Sequence, residues 1–331
     1  AQAMDGAMNL PWQESVYSNL VGGFTAGKLG HAQLIIGPAK LGKHELAERL
    51  AKRLLCLESG GGLAACGHCL SCQRFEAGSH GDFRSITLEI NDKTGKLRTE
   101  ISVDQIRAFN DWLSLTSQLG GGQVAIIRNA HELNRNAANA LLKTLEEPLE
   151  NRYVLLVTDK PYRLPVTIHS RCQRVVLHVP DAETGMQWLV KQGVSPENAK
   201  QSLALADGSP GKAKDLMDSG GLALYAKVRE QLAACMKGQI GASELAKLWL
   251  ADEQIELRLN FAAQIAYGMA RKWSMQADAW ARTNRSLAEL QEWIDAVNRL
   301  RLSLSQPLRH DLSLAGLFHD WRKMLQDSRS G

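Results

Sequence analysis

The sequence predicts an α/β domain built on a parallel sheet with helices on both faces, followed by two helical domains. Short runs rich in Val and Ile alternate with helical patterns through the first half of the 331 residues. These runs stop after Val179, and the pattern is wholly helical from about Leu222. Strands that alternate with helices are typical of a parallel sheet covered on both faces. We therefore expect domains at 1–179, 180–219 and 220–331.

Residue type and spacing predict the individual elements. Five runs rich in Val and Ile predict the strands Ala32–Ile36, Phe83–Leu88, Gln123–Ile127, Tyr153–Thr158 and Arg174–Val179. Helices are expected over about 43–55, 103–116 and 135–146, and Ser102 with Gln105 forms a capping box for the second. Pro196 and Pro210 mark the starts of two further helices, because proline is favoured in the first turn.

Composition and charge narrow the class of protein. Hydrophobic residues make up 44% of the chain, which is enough for packed cores and excludes a disordered protein. The formal net charge of +4 is mild, whereas a dedicated nucleic-acid binder usually carries a basic stripe. No apolar run approaches the roughly 18 residues of a membrane span, and the first ten residues lack the features of a signal peptide. We expect a cytoplasmic protein.

The run Gly37-Pro38-Ala39-Lys40-Leu41-Gly42-Lys43 follows a predicted strand and resembles a phosphate-binding loop without its last residue. A complete loop reads GxxxxGK[ST], and its final hydroxyl holds magnesium. His44 takes that place, and an imidazole is a poor partner for a hard, oxygen-seeking cation. Gly37, Gly42 and Lys43 remain, so the loop keeps its shape-determining residues while the metal chemistry is lost. Residual binding of nucleotide or phosphate at this helix N-terminus is the alternative that stays open.

The acidic residues of the same kind of site are also missing. In phosphate-loop ATPases a later apolar strand ends in acids that hold magnesium and orient water. The matching strand here, residues 124–127, is followed by Arg128 and Asn129. Arg128 alone could be a solvated strand end, but together with His44 it predicts a vestigial site. We expect no intrinsic ATPase activity.

Four cysteines predict a metal site. Cys56, Cys66, Cys69 and Cys72 have the spacing C-x9-C-x2-C-x2-C, and four thiolates suit tetrahedral zinc. A catalytic zinc keeps an open position, whereas four thiolates fill the shell, so this zinc module (56–72) is expected to be structural. Reduced, partly buried thiols are the alternative. His68 is expected to be a solvent-facing turn residue, and Cys172 and Cys235 are expected to be ordinary thiols.

Two longer motifs carry a family resemblance. Asn139–Pro148 reads NALLKTLEEP and resembles the ALLKTLEEP signature of bacterial clamp-loader subunits of the AAA+ family. Leu164–Cys172 reads LPVTIHSRC and resembles their LPxTIxSRC segment, and a four-cysteine module after the loop helix is found in the same group. The resemblance runs from about Trp12 through Lys212. It implies an AAA+ module followed by a helical collar that holds subunits in a ring.

The resemblance also implies partners. Members of the family assemble with gamma/tau and delta subunits into a loader that places the sliding clamp on primed DNA. That loader is part of a DNA-directed DNA polymerase holoenzyme, whose nucleotidyltransferase activity belongs to the complex. The gamma/tau subunits keep a complete ATP site and the delta-prime branch does not, so His44, Arg128 and Asn129 point to the delta-prime branch.

Single residues take implied roles from the same resemblance. The SRC arginine, here Arg171, reaches the ATP site of the neighbouring subunit as an arginine finger, although an arginine paired within its own domain is the alternative. Thr158 stands at the sensor-1 position, and Gly211 stands where active members place the sensor-2 arginine. Glu146 and Glu147 at the end of a predicted helix fit either a solvated helix end or a subunit contact.

Two other functions stay open on the sequence. An active gamma/tau-like ATPase with unusual ligands would hydrolyse ATP alone. A zinc-dependent DNA-binding protein would bind DNA in a salt-dependent way, although few basic residues lie between Cys56 and Cys72.

Overall fold

The computed structural model describes residues 10–91, 94–147, 149–251, 253–274, 280–304 and 309–327. Their contacts form two compact units. The first unit contains the described residues up to Ala199 together with Ala206–Lys212, and the second contains Lys200–Leu205 and the described residues from Ala213 onward. The predicted division into three domains stays a prediction. No helix in the described part of the chain is long and apolar enough to cross a membrane.

A five-stranded parallel sheet organises the first unit, as predicted. The strands are β1 (Ala32–Ile36), β2 (Phe83–Ile86), β3 (Gln123–Ile127), β4 (Arg152–Thr158) and β5 (Gln173–Val176). Their order across the sheet is β2-β3-β4-β1-β5, and every neighbouring pair is parallel. The central strands are buried on both faces, which explains their continuous apolar sequence.

Two of the strands are shorter than predicted, and both lie at an edge of the sheet. β2 ends at Ile86 opposite Ile127, the last residue of β3, and β5 ends at Val176 opposite Ile36, the last residue of β1. An edge strand has one partner, so it ends where that partner turns into a loop. Apolar composition extends beyond this point and therefore overestimates strand length.

Helices cover both faces of the sheet. In the first unit they are α1 (Glu14–Thr25), α2 (Lys43–Leu55), α3 (Leu70–Glu76), α4 (Val103–Ser114), α5 (Arg135–Glu146), α6 (Val166–His169) and α7 (Ala182–Lys191). The bounds of α2 and α5 and the capping box of α4 are confirmed. α4 ends two residues early because Leu115 is extended and Arg152 donates to the carbonyls of Leu113 and Leu115.

Side chains alternate between the two faces of the sheet along each strand, and they pack into two separate hydrophobic cores. Leu34 of β1 packs with Phe109 and Leu141 from α4 and α5. The next residue, Ile35, packs on the opposite face with Tyr17 and Leu50 from α1 and α2. Successive side chains of a strand point to opposite faces, so both layers are anchored on the same short strands.

The remaining helices follow the sheet domain. α8 (Pro196–Leu205) and α9 (Pro210–Asp218) begin at the predicted prolines, and each has residues in both units. The second unit continues with α10 (Gly221–Met236), α11 (Ala242–Leu250), α12 (Ile255–Ser274), α13 (Trp280–Ser303) and α14 (His310–Asp327). Its core is rich in aromatic side chains, with the rings of Trp249 and Phe318 edge to face at 4.8 Å between centroids.

The sheet brings the residues of the predicted site to one edge. β1 and β4 are in register so that Ile36 lies opposite Thr158, and β3 ends at Ile127 opposite Leu156. The loop after β1, Arg128 after β3 and Thr158 at the end of β4 therefore meet at the carboxyl edge. Ligands of open α/β sheets bind at this edge.

Candidate functional site: a vestigial nucleotide site, an exposed arginine and a cysteine cluster

The loop 37–43 connects β1 to α2, and α2 begins at Lys43 as predicted. Its carbonyl groups are occupied by donors from the same chain. The indole Nε1 of Trp12 donates to Leu41 at 3.0 Å, and Gln13 Nε2 donates to Leu41 at 2.9 Å and to Gly42 at 2.6 Å. From the other side, Ser209 Oγ donates to the Ala39 carbonyl at 3.3 Å.

Lys43 bends back on its own loop. Its Nζ donates to the Pro38 carbonyl at 2.6 Å, and the residue is 6% exposed. Burial lowers the pKa of the Lys43 ammonium, and the nearby Asp159 carboxylate partly opposes that shift. The lysine that would contact nucleotide phosphates is thus stabilised by an internal carbonyl and a neighbouring acid.

The backbone of Lys40 closes the position of Gly211, which the resemblance assigns to sensor 2. A Cβ placed on Gly211 would lie 2.0 Å from the carbonyl oxygen of Lys40, a distance that real side chains do not reach. Only glycine fits there, so the absence of the arginine follows from the close approach of the first turn of α9 (Pro210–Asp218) to the loop. This contact could not be read from the sequence, in which Gly211 only breaks a motif.

Basic and neutral groups lie where magnesium ligands would be required. Burial, and then the charge of Arg128, lower the pKa of His44, so its imidazole is neutral at pH 7. Arg128 forms an ion pair with Glu48 of α2, and its Nε donates to Ser85 Oγ at 2.9 Å. The donor set does not fit a magnesium–nucleotide complex, because the hydroxyl and acid that would hold the metal are replaced by an imidazole and a guanidinium.

Arg128 is therefore not a solvated strand end, which was its alternative interpretation. Its partner Glu48 was not predicted from the sequence, because the pair joins residues 80 positions apart.

Thr158 is confirmed at the end of β4, and its hydroxyl is fully engaged. Thr158 Oγ1 lies 2.9 Å from His131 Nδ1 and accepts the backbone N–H of Lys160 at 3.0 Å. His131 Nδ1 also lies 3.5 Å from a carboxylate oxygen of Asp159. The hydroxyl of Thr158, which the resemblance assigns to sensor 1, is thereby hydrogen-bonded inside the domain.

Arg171 lies at the surface next to the end of α5. Its Nε donates to Glu146 Oε1 at 2.6 Å, and its Nη2 is ion-paired with the same carboxylate. Its Nη1 donates to the Thr167 carbonyl at 3.0 Å and to Ser170 Oγ at 3.2 Å. In this single chain the arginine is thus paired within its own domain. Pro148, the last residue of the motif that contains Glu146, lies outside the described residues.

The four predicted cysteine ligands come together. One sulfur from each of Cys56, Cys66, Cys69 and Cys72 lies within 4.8 Å of the others, and the sulfurs of Cys66 and Cys72 are 3.9 Å apart. A tetrahedral zinc with bonds of about 2.3 Å has sulfur–sulfur edges of about 3.8 Å. The donor set therefore fits a zinc ion.

Hydrogen bonding favours ionisation in this cluster. Burial opposes ionisation of the Cys69 thiol, but bonds from the backbone of Cys72 and Leu57 and from the Cys66 thiol lower its pKa to about 6. Burial raises the pKa of Cys72 to about 12. The Cys69 sulfur is thus mostly a thiolate at neutral pH. Cys172 and Cys235 are buried, and His68 is exposed beside Glu58.

A buried chain of hydrogen bonds connects the cysteine cluster to the sheet domain. These bonds were not predicted from the sequence. His80 Nδ1 accepts the N–H of Asp82 at 3.0 Å, so the neutral imidazole carries its proton on Nε2 and donates to Ser71 Oγ at 2.8 Å. Ser71 Oγ in turn donates to the Leu55 carbonyl at 2.6 Å. The proton positions make this serine–histidine pair a structural link and exclude activation of Ser71 as a nucleophile.

Comparisons with known proteins give the family. Residues 12–181 match the family described as DNA polymerase III, delta subunit. The chain is 39% identical over 241 residues to DNA polymerase III subunit delta' of Pseudomonas aeruginosa, covering 72% of this chain and 70% of that protein. It is 31% identical over 309 residues to the delta' subunit of Yersinia pestis, covering 91% of this chain and 87% of that protein.

A third similarity concerns a different subunit. The chain is 37% identical over 171 residues to DNA polymerase III subunit tau of Escherichia coli, covering 52% of this chain and 25% of that protein. The delta' relatives match over more of this chain and over most of their own length. The chain belongs to the DNA polymerase III delta' family.

Proposed function

We propose that this chain is a non-hydrolysing subunit of the bacterial clamp loader, which places the sliding clamp on primed DNA within the DNA polymerase III holoenzyme. The partners are gamma/tau and delta subunits in a hetero-oligomeric ring, and the clamp and DNA are reached through that ring. The observation that carries the proposal is the Arg128–Glu48 ion pair, which stands where a magnesium-binding acid is needed for hydrolysis.

Arg171 is the residue through which the chain contributes to hydrolysis elsewhere. A guanidinium has planar, fixed-charge donors that match a phosphoryl group, and arginine fingers supply roughly 10³–10⁵ in rate. The segment that contains Arg171 also exposes two apolar side chains, since Tyr162 and Val166 are each 80% exposed. In the proposed assembly, residues 180–219 form the small helical domain and 220–331 form the collar.

The first prediction concerns ATP hydrolysis. We expect no turnover by the purified chain, and DNA-stimulated turnover when it is mixed with gamma/tau and delta subunits. Arg171→Ala should abolish hydrolysis at the one site that receives this arginine, measured as a drop in the steady-state rate of the reconstituted complex. Arg163→Ala, a change of the same type on the same segment, is the control and should leave the rate unchanged. Turnover by the isolated chain would instead support a gamma/tau-like ATPase.

The second prediction concerns the metal. Zinc bound by Cys56, Cys66, Cys69 and Cys72 would be structural, because four thiolates complete its coordination. We expect about one zinc per chain by elemental analysis, and binding that weakens as the pH falls, since protons compete with the metal for the cysteine sulfurs. Cys66→Ser should lose the metal, whereas Cys172→Ser should keep it. Metal-free protein purified without chelator would contradict this proposal.

A further inference from the structure

The ion pair between Arg171 and Glu146 occupies the arginine that the proposed function assigns to a neighbouring subunit. We infer that Glu146 is a positioning residue that competes with the neighbour's phosphate for Arg171, and so sets how readily this chain stimulates hydrolysis in trans. The inference rests on the proposed function of Arg171. It assigns to one of the two acids at the end of α5 a role that the sequence left undecided.

The geometry makes the two partners mutually exclusive. All three guanidinium nitrogens already have acceptors, because Nε and Nη2 contact the Glu146 carboxylate and Nη1 contacts Thr167 and Ser170. Phosphate is bound by two parallel N–H groups on one edge of the guanidinium. The edge made by Nε and Nη2 is free for such a contact only after Glu146 has released it.

The exposure of the pair makes this exchange possible. The side chains of Arg171 and Glu146 are 32% and 47% exposed, so their attraction is screened by water. An exposed ion pair changes an equilibrium by about 1.5- to 5-fold. A phosphate that carries more than one negative charge in a drier interface is a stronger acceptor. The ion pair is thus strong enough to hold Arg171 against Glu146 when no phosphate is near, and weak enough for a phosphate to replace Glu146.

The position of Glu146 at the C-terminal end of α5 explains why its carboxylate is paired with Arg171. Glu146 is the last residue of α5, where the helix dipole is negative and disfavours an acid. Arg171 places a positive charge there, so the resting contact is favourable to both the carboxylate and the helix. Transfer of Arg171 to a phosphate would return Glu146 to water, which its exposure allows.

The experiment uses the reconstituted complex without DNA. For each variant the arginine-dependent rate is the ATPase rate of the complex minus that of the matched complex with Arg171→Ala. We expect Glu146→Gln to raise this rate by about 1.5- to 5-fold, because the amide holds the guanidinium less strongly than the carboxylate. The gain should appear in kcat with little change in KM for ATP, since an arginine finger acts on the transferred phosphoryl group.

Matched variants separate this role from a structural one. Glu147→Gln removes the same charge one residue away and should leave the rate unchanged. Glu146→Gln combined with Arg171→Ala should give the rate of Arg171→Ala alone, because Glu146 acts only through the arginine. Thermal unfolding of each variant shows whether the chain is intact.

The outcomes are distinguishable from those of the proposed function. A drop with Arg171→Ala together with an unchanged or lower rate for folded Glu146→Gln would overturn the inference and leave the proposed function standing. A gain that persists in the Arg171→Ala background would also overturn it. No effect of Arg171→Ala would overturn the proposed role of Arg171 itself, on which the inference rests.

Discussion

At the scale of single residues, close contacts rather than the absence of a motif define the vestigial loop. Gly42 has φ +78°, and a Cβ on it would lie 2.2 Å from Leu10 Cδ1 and 2.3 Å from Gln13 Nε2. The positive φ therefore favours glycine, and a Cβ at this position would also displace the ends of the Leu10 and Gln13 side chains. In a catalytic loop the same glycine serves the nucleotide, so its presence here does not by itself indicate nucleotide binding.

The third prediction follows from this contact. Gly42→Ala should destabilise the protein more than Gly27→Ala, measured as free energies of unfolding from urea titrations. Gly27 has φ +66° but nothing within 4 Å of its would-be Cβ, so it carries only the backbone strain of about 1–2 kcal/mol. The difference between the two variants measures the packing of Leu10 and Gln13 on the loop. Equal losses would show that this packing contributes nothing.

At the scale of elements, the buried chain Ser71–His80–Asp82 connects the cysteine cluster to the sheet domain. α3 contains two consecutive residues with different tasks, since Ser71 binds the Leu55 carbonyl and Cys72 faces the sulfur cluster. The carboxylate of Asp82 accepts the N–H groups of Gln118 and Leu119 at 2.7 and 2.9 Å. These hydrogen bonds thus connect the cysteine cluster to one segment that precedes β2 in the chain and to another that follows it.

The fourth prediction tests that connection. Ser71→Ala leaves a buried imidazole N–H and the Leu55 carbonyl with one partner fewer, which costs about 1–3 kcal/mol of unfolding free energy. Ser79→Ala, at an exposed position of the same segment, should change stability by less than about 0.5 kcal/mol. Urea titrations of zinc-saturated protein measure both. Equal stability of the two variants would contradict a structural role for the network.

How far sequence predicts structure differs between these elements. The approximate ranges predicted for α2 and α5 agree with the structure, in which local signals set both helix starts: the loop glycine Gly42 precedes α2, and the Asn134 side chain caps α5. α1, α3, α6 and α7 were not predicted, and the edge strands came out too long, since their ends depend on a partner strand. The cysteine cluster was predictable because its four ligands share one segment. The ion pairs of Arg128 and Arg171 were not, because each joins residues 25 or more positions apart.

At the scale of the whole molecule, buried imidazoles connect stability to pH. Burial lowers the pKa of His44, His80 and His131 below the ordinary value of 6.5. As the pH falls through 6.5, the unfolded chain takes up protons that the folded chain excludes. Folding then becomes less favourable on acidification, and this contribution to stability is fully present only above that pH.

The fifth prediction states the consequence. The urea midpoint of zinc-saturated protein should fall between pH 7.5 and pH 5.5, and His131→Asn should reduce that fall by removing one of the three groups. His68→Asn is the control, because the side chain of His68 is 73% exposed. A fall that is identical in His131→Asn and the unaltered chain would show that this imidazole does not contribute.

The Arg128–Glu48 pair has one more consequence for the molecule. In a phosphate-loop ATPase the positive charge at this position comes from a bound magnesium ion, so the state of the loop depends on the concentrations of magnesium and ATP. Here that charge is covalently part of the polypeptide and is present at all times. We therefore expect the conformation of this region to be independent of the concentrations of magnesium and ATP.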